Sequence, residues 1–239
     1  MTAARVRVAL VPPAPGALPA DACAVAIDVL RATTTLAVAR RNGAARIVPF
    51  ATTPEAIAFR DRTPGTLACG EREGRIVPGF DLGNSPLEFT RERVAGKTLA
   101  FASTNGSRAL LAAARCRRRL LGSFATLSAT VQALASEREI WLVCAGKLGS
   151  FALEDAACAG TMAFRLRAAG AELANAEARL AASLACANSD EARAVVSGCD
   201  HGRWLASLGE SFAADVEFCA KVDTMNSAQD WAEGASSRP

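Results

Sequence analysis

A chain of 239 residues, 51% hydrophobic and 21% charged, has ample material for a buried core and lacks the composition of a disordered protein. Its formal net charge is only +3, and its one histidine and absence of tyrosine exclude zinc sites built on two imidazoles, paired-histidine phosphatase chemistry and any tyrosine mechanism.

Along the first two thirds, short β-like runs alternate with helical patterns. Residues 5–11 and 23–29 read as strands, and 32–41 as a helix stopped by Asn42-Gly43. Residues 45–51 read as a strand, 54–62 as a helix, and 66–70 as a strand running into a glycine-rich loop. Ser85-Pro86-Leu87-Glu88 predicts a helix start, with Ser85 as cap, proline in the first turn and Glu88 completing a capping box. Strands at 97–103, 120–124 and 140–144 then alternate with helices at 108–115 and 127–136. The pattern beyond is helical, at 153–168, 174–187 and 190–197, ending in a tail whose last residues, 234–239, read as frayed. Such alternation implies one α/β domain spanning 1–239. Its expected form is a three-layer α/β/α arrangement of a largely parallel, mixed sheet with a helical C-terminal part.

The eight cysteines never fall at a two-residue spacing, so they read as small core residues of a reducing cytoplasm rather than as ligands or redox pairs. Prolines 12, 13, 15 and 19 break the only N-terminal apolar stretch, and no apolar run approaches the roughly 20 residues of a membrane helix, so neither a signal peptide nor a membrane partner is expected. The arginine-rich run 115–119 reads as a helix terminus carrying the cations that suit its dipole, and nothing else predicts nucleic acid as a partner. The high apolar content is compatible with a homo-oligomer, although no heptad or edge pattern marks an interface.

In parallel α/β sheets ligands bind at the carboxyl ends of strands. The residues following four strands here share one chemistry. Thr33, Thr34 and Thr35, then Asn84 and Ser85, then Thr104, Asn105, Gly106 and Ser107 lie at loop-to-helix junctions where N–H groups and hydroxyls surround an anion. Arg31, Arg72 and Arg108 add bidentate donors for phosphate, sulfonate or carboxylate. Asp28, Glu71, Asp81, Glu154 and Asp155 supply hard oxygen ligands suited to Mg²⁺. An anion cradle beside magnesium is the equipment for phosphoryl transfer to water, with a small anionic phosphorylated substrate.

Four segments carry a resemblance to a known family. Residues 28–35 (D-V-L-R-A-T-T-T), 70–86 (G-E-R-x-G followed by G-F-D-x-G-N-S-P), 104–109 (T-N-G-S-R-A) and 144–160 (C-A-G-x-x-G, L-E-D, C-A-G) resemble the 2-phosphosulfolactate phosphatases, in order and over most of the chain. His201-Gly202-Arg203 and the 215–223 stretch are similar as well. Ser107 departs from the expected threonine but keeps the hydroxyl, and the tail after Asp223 lacks the expected apolar-proline ending. The resemblance implies a Mg²⁺-dependent hydrolysis of (2R)-2-phospho-3-sulfolactate to 3-sulfolactate and phosphate, a step of coenzyme M biosynthesis in methanogens, on a mixed-sheet α/β/α fold. On that basis Asp28, Asp81, Glu154 and Asp155 are the expected metal carboxylates, with Arg31, Arg72 and the Thr104-Asn105-Gly106 turn offsetting charge on the phosphoryl group. Asp28 as a phosphorylated nucleophile is the other role open to it, and His201 is the candidate general acid.

Two rival readings use the same chain differently. Cys69 and Arg75 have the cysteine-x5-arginine spacing of thiolate phosphatases, but Glu71 and Glu73 inside that loop oppose both phosphate and thiolate. A non-catalytic protein that binds a small organic anion would need the same cradle and leave the carboxylates as structure only.

Overall fold

The structure is a computed structural model and describes residues 3–231, so the expected frayed segment 234–239 lies outside the described residues. Ten strands and ten helices are present among the described residues. Five strands form the parallel body of a larger sheet: β1 (Arg5–Ala9), β2 (Cys23–Ile27), β7 (Arg118–Gly122), β8 (Glu139–Cys144) and β9 (Glu172–Leu173). With β10 (Gln229–Asp230) added antiparallel at one edge, their order is β10-β7-β2-β8-β1-β9. The remaining strands, β3 (Arg46–Pro49), β4 (Thr66–Arg72), β5 (Arg75–Ile76) and β6 (Thr98–Ala102), form a second sheet in the order β3-β6-β4-β5, parallel except for the β4–β5 hairpin.

The expected α/β class with parallel-dominated sheets holds, but the strands are shared between two sheets instead of one. Period-two alternation explains how both are covered. On β2, Cys23, Val25 and Ile27 enter one core together with α6 (Leu153–Ala168), whereas Ala24 and Ala26 enter a second core on the opposite face. That second core also takes Leu36 of α1 (Ala32–Arg41), Leu110 of α4 (Gly106–Ala113), and Leu99 and Phe101 of β6. Helices α1 and α4 are therefore sandwiched between the two sheets. The far face of the small sheet is covered by α2 (Thr53–Arg62), where Ala56 meets Ala68, Ala100 and Ala102. The six-stranded sheet thus has the three-layer α/β/α build, with the small sheet laid against one of its helical layers.

Several local expectations shift for identifiable reasons. Arg118 and Arg119 belong to β7 instead of closing a helix: their stems cross the half-buried strand face and their guanidinium groups donate to the carbonyls of Ala133 and Ala114, each at 2.8 Å. The turn after Ser85 is a short 3₁₀ helix, Pro86–Glu88, and Glu88 accepts from the Gly83 N–H at 2.9 Å in place of closing a capping box. The helix read over 174–187 is α7 (Ala176–Ala182), begun by the Asn175 cap, and Asn188 then starts a new helix, α8 (Ser189–Gly198), by accepting from Glu191 N. Two further helices, α9 (Asp200–Ala206) and α10 (Glu210–Cys219), complete the helical C-terminal part.

Phe101 is fully buried where the small sheet meets the sandwiched helices. Phe101→Ala is expected to destabilise the protein by about 3–5 kcal/mol, read as a lowered urea midpoint at unchanged slope.

Candidate active site

The carboxyl ends of β2, β4, β6 and β8, drawn from both sheets, lead into one cavity of about 270 Å³. Asp28 enters it directly from β2, a strand whose five residues are all fully buried. Its Oδ1 accepts the Ala32 N–H at 3.1 Å at the amino end of α1, while its own N–H donates to Thr33 Oγ1 at 2.8 Å. No donor among the described residues bonds Oδ2. A Cβ added to Gly106 would stand 2.7 Å from Oδ2 and 2.3 Å from Ala32 Cβ, so only glycine lets α4 start against this carboxylate.

The other acidic residues sort by what they bond. Glu71 accepts from Gly74 N at 2.8 Å and from Thr104 N at 2.7 Å, tying the loop after β4 to the loop after β6. Asp155 accepts from Val29 N at 2.8 Å and Gly146 N at 3.0 Å, fastening the ends of β2 and β8 together. Glu154 Oε1 lies 2.8 Å from His201 Nδ1. Asp81 is exposed, accepts from Ala68 N and pairs with Arg60, and it does not line the cavity, so the expectation that it joins the metal carboxylates fails on placement. Asp155 does not line the cavity either, and each of its oxygens accepts a backbone N–H.

Burial pushes the Asp28 carboxyl up to about 7, with Glu71 and Glu154 adding repulsion against the favourable charge of His201 and the Ala32 N–H. Burial also drives Asp155 well up, with Glu154 and Asp28 contributing. For Glu154 burial acts in the same direction but is outweighed by the His201 hydrogen bond and charge, and its carboxyl is held below the usual range. The ionised Glu154 therefore fixes His201 with Nδ1–H toward it and leaves Nε2 as the ring nitrogen for a ligand.

Arg31, Asn84, Thr104, Asn105 and His201 line the cavity with Asp28. Arg31 is buried and bonded to Asp215 at 2.6 Å and to the Gly74 carbonyl; Ser85 reaches the other oxygen of Asp215 at 2.5 Å. Asn84 Oδ1 and Thr104 Oγ1 are buried without a partner among the described residues. Asn105 Oδ1 holds Leu148 N at 2.9 Å, anchoring the loop after β8.

The remaining expected site residues support this wall from behind. Thr33 and Thr34 are fully buried and donate to main-chain carbonyls, Thr33 to Asp28 and Gly122, Thr34 to Val29. Ser107 exchanges hydrogen bonds with Ser103, Arg72 donates to the carbonyls of Glu71 and Ala102, and Arg108 is exposed. Sequence reasoning missed Lys147, Trp204 and Asp215. The available signals were the position of Lys147 just after β8, the three-residue helical spacing of Trp204 from His201, and the place of Asp215 at the head of the 215–223 stretch that resembles the family.

The chain matches the family model described as 2-phosphosulpholactate phosphatase over residues 12–233. It belongs to this family. Among relatives, a probable 2-phosphosulfolactate phosphatase of Synechococcus sp. (strain JA-3-3Ab) is 40% identical over 216 residues, 89% of this chain and 88% of the relative. Proteins of the same description from Thermotoga petrophila (41% over 201 residues, 84% of this chain and 85% of the relative) and Deinococcus radiodurans (40% over 205 residues, 84% of each) are similarly close.

In this phosphatase-family chain the thiolate alternative has no physical basis. Cys69 is fully buried inside β4 with its thiol against the Ala100 carbonyl, and burial, followed by the charge of Asp81, raises its pKa. Burial likewise pushes Cys23 and Cys199 up to about 12. All eight cysteines are free and buried. They are expected to react with a small disulfide reagent at least about a hundredfold more slowly in the native protein than in urea, as followed by thiolate absorbance.

Proposed function

We propose that this protein is a Mg²⁺-dependent phosphomonoester hydrolase of the cytoplasm that converts (2R)-2-phospho-3-sulfolactate and water to 3-sulfolactate and phosphate. The observation that carries the reading is the grouping of Asp28 with His201, which Glu154 holds from behind, at one cavity lined also by Asn84 and Thr104, whose buried Oδ1 and Oγ1 have no partner among the described residues. The names of the relatives supply the substrate. Location in the cytoplasm is supported by the eight free, buried thiols. No helix among the described residues is long and apolar enough to cross a membrane.

The donor set fits magnesium. Asp28 Oδ2 and Asn84 Oδ1 are hard oxygens, and no three His, Cys, Asp or Glu side chains among the described residues are placed to hold a metal by themselves. A cation here would take its other ligands from substrate and water, as magnesium does. Bound at Asp28, it would neutralise phosphoryl oxygens and restore charge balance to the raised carboxyl.

The chain's own residues would then divide the remaining work. Thr104 donates its hydroxyl to a phosphoryl oxygen, and Asn84 orients the group through its amide. Water oxygen bonds to phosphorus as the ester P–O bond breaks and its electron pair passes to the sulfolactate oxygen, and the proton that the water loses passes to a phosphoryl oxygen and leaves with the phosphate. His201 Nε2 protonates that oxygen, with Glu154 holding the ring in place. Arg31, already committed to Asp215 and Gly74, shapes the wall and contributes its positive field.

Phosphate release measured across sulfonated, carboxylated and simple phosphomonoesters is expected to require Mg²⁺ and to stop with EDTA. A non-catalytic binder would release none under any condition. His201→Asn is expected to lower kcat by about 10²–10³-fold, with a smaller loss on esters of acidic alcohols whose leaving oxygen needs no proton. Equal loss on all leaving groups would remove His201 as the acid.

A further inference from the structure

Resting on the phosphomonoesterase reading, we propose that Lys147 is the specificity residue that holds the substrate's second anionic group, the sulfonate or carboxylate that does not react. The cavity is lined by the carboxylates of Asp28, Glu71 and Glu73 and by three cationic or protonatable side chains, Arg31, Lys147 and His201. Arg31 is committed to Asp215 and the Gly74 carbonyl, and His201 to Glu154. Lys147 alone of the three has no carboxylate partner among the described residues; its ammonium lies 4.3 Å from the centroid of the Trp204 ring. A substrate carrying an anion besides its phosphate has one uncommitted protein cation here to meet it.

The backbone presenting Lys147 is built and fixed, not a loose loop end. Gly146 N–H is held by Asp155, Lys147 and Ser150 exchange hydrogen bonds at 2.9 Å, and Leu148 N–H is held by Asn105. Gly146 has φ +62°, and a Cβ there would stand 2.3 Å from the Ser150 carbonyl oxygen, so the turn closes only with glycine. Trp204 completes the arrangement: its ring lies under the ammonium and its centroid is 5.7 Å from that of the His201 ring. One aromatic side chain therefore sets the cation and the candidate proton donor relative to each other. The cation–π contact replaces part of the hydration of the ammonium without neutralising it, which leaves the charge available to an incoming anion. Lys147 also lines a wider recess of about 600 Å³ adjoining the cavity, so it stands at the boundary between the two.

The test combines equilibrium binding with substrate selectivity, using the full chain with Mg²⁺. Calorimetric titration with 3-sulfolactate is expected to give a Kd about tenfold weaker for Lys147→Met than for wild type, and within about threefold for Lys147→Arg, which keeps the charge. In turnover, the kcat/KM of Lys147→Met for 2-phospho-3-sulfolactate relative to isopropyl phosphate, which has no second anion, is expected to fall about tenfold, through KM. 2-Phospholactate, with a carboxylate and no sulfonate, assigns the group: its selectivity falls equally if Lys147 holds the carboxylate and is unchanged if it holds the sulfonate. Unchanged sulfolactate affinity in Lys147→Met, no measurable wild-type affinity, or a loss of the same factor on isopropyl phosphate overturns the assignment. Absence of phosphate release from all three esters, with the tenfold loss of sulfolactate affinity still observed, would instead refute the phosphatase reading and leave Lys147 as an anion site.

Discussion

The constraint on which the rest of this structure depends is a carboxylate placed at the end of a fully buried strand. Asp28 follows five residues of β2 that are wholly withdrawn from water, and removing its charge from solvent is costly unless the surroundings compensate. The compensation from protein is incomplete: one N–H at the start of α1 and the charge of His201 act against burial and two neighbouring carboxylates. In the proposed function a cation would supply the compensation that the protein leaves out. The glycine at position 106 and the junction of α1 with α4 follow from the need to seat that group without covering its second oxygen.

Around Asp28 the acids serve chiefly as stitches between elements distant in sequence. Glu71 joins the loops after β4 and β6, Asp155 joins the ends of β2 and β8, Asp215 draws α10 to Arg31, and Glu154 draws α9 in through His201. This division explains how two sheets form one site. The small sheet delivers Glu71 and Thr104, the large sheet delivers Asp28, and the helical C-terminal part closes the cavity with His201 and Trp204. Hydrogen bonds of this kind are worth most where water is excluded, so the same bonds that build the wall hold the reacting groups in register.

The convergence of four strand ends was legible because strand boundaries follow from local apolar patterning and the residues after them share an anion-binding chemistry. Asp28, Asn84 and Thr104 from those turns line one cavity, together with His201, which only the family resemblance had singled out. The partition into two sheets was not legible, because strand neighbours are chosen by faces that meet far apart in sequence: β2 pairs with β7 and β8, while β4 pairs with β6. For the same reason Asp81 looked equivalent to Asp28 yet lies on the outside with Arg60, and Glu154 gave no sign of its partner 47 residues away. Arg118 and Arg119 misled because a run of arginines suits a helix end as well as it suits a strand whose long side chains reach past the core.

Central to the proposed function is a cation that would hold Asp28 fully ionised in the working site, because the metal-free carboxyl, raised to about 7, is only partly ionised at neutral pH. Carbon-detected NMR of selectively labelled aspartate, with Asp28 assigned by its loss in Asp28→Asn, measures this directly as a pH titration without and with Mg²⁺. The account predicts that the Asp28 carboxyl titrates near 7 in the metal-free protein and moves well below that when Mg²⁺ is added. Superimposable titration curves in the two conditions would contradict it.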